Sequence, residues 1–297
     1  MAFSASDAAF EGFRLVRRKP IALVAWALLY AVLSLTSLFA MSNTVDAMVE
    51  WSERAEALEG AEPTQAEVML NLAWLLPVSL IVGAMLMAAV ARAVLNPRAG
   101  GFGYLRLGMD EVRVFVVSLV LCILLFCAWL ALALLVGLLA GVAGATGASW
   151  LWLVVVLGGL AGLAAIVWLA VRLSLAVPIT VAENRFAIFD SFALTKGRFW
   201  PLLGMAVIAF VMVLVISLLA MVVTLPLNLM TGLESWSFGS NADPEVMAAA
   251  LDVTNPWVIV NALVEAVVYA LTVGVMYAPF AAAYRDIKGL GAETPTA

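Results

Sequence analysis

Six long apolar runs separated by short charged stretches dominate the chain, and each is long enough to cross ~30 Å of hydrocarbon as a helix rising ~1.5 Å per residue. They fall at about 21–41, 68–91, 114–142, 150–177, 200–227 and 257–283, so the pattern predicts an all-α fold, a polytopic membrane bundle of six helices in a single domain. The stretch from Ser42 to Val68 carries acids and a weak apolar face, Val45, Met48, Val49 and Leu58, and predicts a helical outer loop. Thr64 with Glu67 three residues on is a capping box for the second span. Spans three and four are joined by a glycine-rich link without charge, which demands a tight antiparallel hairpin. Pro178 should bend or end span four, and Asp243–Pro244 and Asn255–Pro256 are helix starts, the second opening span six.

Shorter amphipathic segments precede the odd spans. Residues 1–19 read as one helix in the headgroup layer, with Phe3, Phe10 and Phe13 among Arg14, Arg17 and Arg18. Phe10, Phe13 and Leu15 recur in spacing as Phe102, Leu105 and Leu107 before span three, and as Phe189, Phe192 and Leu194 before span five. An arginine follows each pair of spans, at Arg92, Arg172 and Arg285. The pattern suggests three units running in one direction about an axis along the membrane normal, each introduced by an interfacial helix.

Composition changes the picture little: 65% of residues are hydrophobic and 12% charged, so the bilayer is the solvent. The distribution of charge matters more. Of the 15 Lys and Arg, Arg54 alone falls on the side of the acidic loops, which places both termini and the second and fourth loops in the cytoplasm of a bacterial inner membrane. Arg92 reads as part of the second loop, while Arg172 either reaches the inner surface or pairs inside the bundle. A cleaved leader is the competing reading of span one, but bulky Leu38 stands where a cleavage site after Ala40 wants a small residue. The tail from 284 to 297 is cytoplasmic.

The chain has no histidine, so Ser-His and Cys-His nucleophile pairs are excluded. Cys122 and Cys127 read as inert core residues, and Ser34, Ser79, Ser118 and Ser217 are scattered singly, so no catalytic cluster is expected. No cofactor and no metal site are expected, apart from weak calcium contact with the acidic first loop. Span six carries a ridge of small residues, Ala262, Ala266, Ala270, Gly274, Ala278 and Ala282, for close helix approach. Similar stripes fall at Ala133, Gly137, Gly141 and Ala145 of span three, and at Gly158, Ala161, Gly162 and Ala165 of span four. Beside the ridge of span six, Asn261, Glu265, Tyr269 and Tyr277 form a polar stripe. Glu265 reads as a deeply buried carboxylate facing protein or water.

The stretch DSFALTKGRFWPLLG, Asp190 to Gly204, with Tyr284, Arg285 and Asp286, resembles the six-span membrane domain found beside some bacterial glycerophosphoryl diester phosphodiesterases, and its stand-alone relatives. The motif covers about a tenth of the chain. The resemblance implies an inner-membrane scaffold or anchor, with phosphodiesterase chemistry belonging to a separate soluble domain that this chain has no room for. Two functions follow as expectations. One is a non-enzymatic protein that organises lipid or a partner, with Arg14, Arg17, Arg18, Lys196 and Arg198 on anionic headgroups; its partners are membrane lipids, a membrane protein or a second copy, and not nucleic acid. The other is a transporter or channel for a small or amphipathic solute, with Asn261, Glu265 and Tyr269 as its site.

Overall fold

A computed structural model describes residues 4–58, 70, 72–98, 101–106, 108–231, 248 and 250–290, with 50–58 as backbone alone. All regular structure among them is helical, and six helices are long and apolar enough to cross a membrane. Span one is α3 (Pro20–Leu58), which continues without a break into the segment read as an outer-loop helix. Span two is α4 (Leu75–Leu95), with Pro77 in its first turn, where a missing N–H costs nothing. The capping box at Thr64 and Glu67, most of the acidic first loop, and the Asp243–Pro244 start lie outside the described residues.

Spans three and four, α5 (Met109–Thr146) and α6 (Ser149–Leu173), are joined by two residues. Gly147 makes that turn possible, since it closes α5 in the left-handed region at φ 64°. Span four breaks at Ser174 and resumes as α7 (Ala176–Glu183). Pro178 cannot donate to Ser174 O, four residues back, and the break is bridged by Ser191, whose hydroxyl donates to Arg172 O at 2.6 Å and accepts from Leu175 N at 3.2 Å. Span five is α9 (Phe199–Thr231). Span six is α10 (Pro256–Ile287), opened as expected by Asn255, whose side chain accepts from Trp257 N at 3.0 Å.

The segments leading into spans one, three and five differ from one another. The first is two helices, α1 (Ala5–Ala9) and α2 (Glu11–Arg18), broken at Phe10. The second is a single 3-10 turn, Phe102–Tyr104, where Gly103 at φ 63° presses against α3 so closely that a Cβ would stand 2.3 Å from Ala25 Cβ. A full amphipathic helix cannot form through that glycine-dependent turn. The third is α8 (Asp190–Thr195).

Helix α10 packs against α3, α4 and α9, and its small-residue ridge is buried along its whole length, from Ala262 to Ala282. Helix α4 answers with Ala84, Ala88, Ala89 and Ala91, all buried. Without a hydrophobic drive between helices in lipid, such close contact is what holds them. The stripe on α6 works in part: Gly162 takes the tip of Leu132, whose Cδ1 lies 2.2 Å from where a glycine Cβ would be. The stripe on α5 does not, because Ala133, Gly137, Gly141 and Ala145 are exposed and nothing lies within 4 Å of a Cβ added at Gly137 or Gly141. Cys122 and Cys127 are also exposed on α5, not core residues.

Candidate functional site

The lead-in segments and the C-terminal ends of the even spans come together at one end of the bundle. On α2, Gly12 and Leu15 face α10, and a Cβ at Gly12 would stand 2.5 Å from Val275 Cα. The same packing turns Phe10 and Phe13 outward, together with Arg17 and Arg18. Small residues face protein while phenylalanines face out, the reverse of a helix docked in water and the arrangement expected at a headgroup boundary. Phe102 before span three is exposed, and before span five Phe186, Phe189 and Trp200 are exposed around the exposed Lys196 and Arg198.

Among the described residues, Arg17, Arg18, Lys196 and Arg198 make no ion pair. Arg14 differs from the other expected headgroup cations: it is held by Asp7 at 3.5 Å and Glu11 at 3.7 Å, so its charge is already balanced. Phe192, expected on the exposed aromatic face, turns its edge to Trp168 at 6.2 Å between ring centres.

The arginines that follow the span pairs reach the next lead-in each time. Arg92 belongs to the last turn of α4, not to the loop; it is buried and pairs with the buried Glu111 in the first turn of α5, and it also donates to Tyr104 O. Arg172 donates through Nη1 to Phe192 O at 3.3 Å and Thr195 Oγ1 at 3.4 Å of α8. Arg285 meets Glu11 of α2 at 3.5 Å. A second network, legible only in three dimensions, ties α7 to α10 and α8. Glu183 meets Arg185 at 2.7 Å, Lys288 at 3.3 Å and the Tyr284 hydroxyl at 3.1 Å, and Arg185 meets Asp190 at 2.6 Å. Bonding to Glu183 and then to Asp190 holds the Arg185 guanidinium above its ordinary range.

The polar stripe of span six meets two different helices. Asn261 is buried and donates to Asn228 Oδ1 of α9 at 3.1 Å. Tyr269 stacks on Tyr30 of α3, rings 3.8 Å apart. Glu265, read as buried, instead lies exposed on the open side of α10 between those two contacts. Positions four apart share a face of the helix, so Glu265 lies one turn from each of Asn261 and Tyr269, beside the buried ridge at Ala262, Ala266 and Ala270. Cavities of about 420, 400 and 300 Å³ lie elsewhere, and Glu265 lines none of them; Tyr277 lines the last, between α4, α5, α6, α7 and α10.

No protein-family model, curated protein or solved structure significantly matches the chain. The fold and the distribution of apolar surface therefore define its class directly: a multi-pass helical membrane protein with a cationic, aromatic rim at one end.

Proposed function

We propose that the protein is a non-enzymatic component of a bacterial inner membrane, with both termini cytoplasmic, whose rim organises anionic lipid at the cytoplasmic leaflet. The observation that carries this reading is the exposure of Phe10, Phe13, Phe102, Phe189 and Trp200 at the end of the bundle that carries Arg17, Arg18, Lys196 and Arg198, which make no ion pair among the described residues. Aromatic rings enter the headgroup boundary, and each basic residue near an anionic surface adds about 1 kcal/mol. The chain of arginine contacts, each passing from the end of one span pair to the next lead-in and the last returning to the first, supports three units arranged about a central axis. The resemblance of Asp190 to Gly204 to the membrane domain of the phosphodiesterases supports a scaffold or anchoring role in the same way. Solute transport through Glu265 is the weaker reading, since that carboxylate lies exposed on α10 and lines none of the three cavities described above.

The test compares the wild-type chain with the variant R17Q/R18Q/K196Q/R198Q in vesicles containing phosphatidylglycerol and phosphatidylcholine. Wild type should enrich phosphatidylglycerol in its surrounding lipid, and the variant should lose most of that enrichment. Equal enrichment in both would overturn the proposal.

A further inference from the structure

Among the described residues, one of the three span-ending arginines lacks a carboxylate. Arg92 has Glu111, and Arg285 has Glu11. The acid that matches Glu11 in the third lead-in is Asp190, and Arg185 occupies it at 2.6 Å. Arg172 is left with the neutral acceptors Phe192 O and Thr195 Oγ1, both on Nη1 and both at long range, and it forms no ion pair among the described residues. A guanidinium carries five donors in a planar fork suited to phosphate. Its positive charge is therefore uncompensated at the end of the bundle where the other cations gather.

Directly below it runs an apolar groove. Arg172 lies over the ring of Trp168 at 5.4 Å, and Trp168 is 45% exposed. From Trp168 the groove, of about 400 Å³, continues between α5 and α6 past Ala165, Ala128, Leu132, Gly162 and Leu135. Gly162 sets its floor, because only a residue without a Cβ admits Leu132 so closely. From Gly162 to Arg172 is ten residues, ~15 Å along the helix, about half the ~30 Å hydrocarbon core and so the reach of one acyl chain in one leaflet.

We propose that this groove is a specific site for one anionic phospholipid, an acyl chain lying between α5 and α6 and the phosphate on the Arg172 guanidinium, beside Lys196. The inference rests on the headgroup reading of the rim and narrows it from a diffuse layer to one stoichiometric ligand. Charge complementarity selects the occupant: the groove alone accepts any chain, while the unpaired arginine at its head demands an anion.

The experiment is native mass spectrometry of the full chain released from nanodiscs of phosphatidylglycerol and phosphatidylethanolamine. Wild type should keep one phosphatidylglycerol at collision energies that strip the rest. R172Q should lower its occupancy about tenfold, R172K should retain more of it, and A165F, which fills the groove from its exposed side, should expel it. Retention of that one lipid at wild-type levels by A165F overturns the proposal, and so does retention by a folded R172Q. The variant R17Q/R18Q/R198Q, which leaves Lys196 in place beside the site, separates the two readings. It should lose the weakly held phosphatidylglycerol while keeping the single bound one; unchanged loose binding there would sink the broader rim reading and leave this site standing.

Discussion

Arg285, in the last turn of α10, meets Glu11 of α2 at 3.5 Å, a contact that joins the N-terminal helices to the last span across 274 positions. Together with Gly12 against Val275, it fixes the N-terminal helices to the bundle instead of leaving them free on the membrane surface. The orientation of Phe10, Phe13, Arg17 and Arg18 depends on that attachment.

The pair is partly exposed, so its coupling should be modest, about 1 kcal/mol by a double-mutant cycle of E11Q and R285Q on thermal unfolding in detergent. Hydrogen exchange in α2 should rise in each single variant. A coupling of zero would assign the attachment to the glycine contact alone.

The pair between Arg92 and Glu111 should behave differently, because both side chains are buried. E111Q leaves an uncompensated guanidinium and should cost ~3–5 kcal/mol, whereas replacing both partners, as in R92M/E111L, should cost far less. Unfolding midpoints of the two variants check this, and the account requires the single variant to be the weaker.

Two glycine substitutions should part company. Gly12→Leu drives a side chain into the backbone at Val275 and should destabilise by at least ~1–3 kcal/mol while loosening α1 and α2. Gly137→Ala meets nothing within 4 Å and should be neutral or slightly stabilising through helix propensity, up to ~1 kcal/mol. Thermal stability of the two purified variants gives the comparison.

A local acid response should appear where the chain enters α10. The Thr254 hydroxyl donates to the Asp252 carboxylate at 2.7 Å and its backbone N–H does so at 2.8 Å; the hydroxyl bond first, then the backbone bond, hold this carboxyl below its usual range. A depressed value means the contribution to folding is fully present above the unfolded pKa of roughly 4 and is lost as pH falls through the folded value. Protection of the Thr254 amide, corrected for intrinsic exchange, should fall on acidification below that point in wild type. In D252N it should be low and independent of pH.

The contrast between Gly12 and Gly137 also shows what the chain's pattern conveys. Hydropathy located the six spans, Asn255 announced the start of α10, and the alanine ridge from Ala262 to Ala282 is buried as its spacing suggested. Burial in protein and burial in lipid look alike in sequence, since both surfaces are apolar, so nothing distinguished that ridge from the open stripe at Gly137 and Gly141. For the same reason Glu265 read as buried when it lies on the open side of α10. The rim cations were legible by type and position, but their partners were not. Arg14 is neutralised by Asp7 and Glu11, and Arg172 makes no ion pair among the described residues while Arg185 holds Asp190, relationships that depend on how α6, α7 and α8 fold back on one another.

The placement of the rim at the cytoplasmic leaflet is tested most directly by alkaline phosphatase fusions after Glu59 and after Ala187. The fusion at Glu59 should be active and the one at Ala187 silent. An active fusion at Ala187 with a silent one at Glu59 would put the rim on the opposite face and contradict the account.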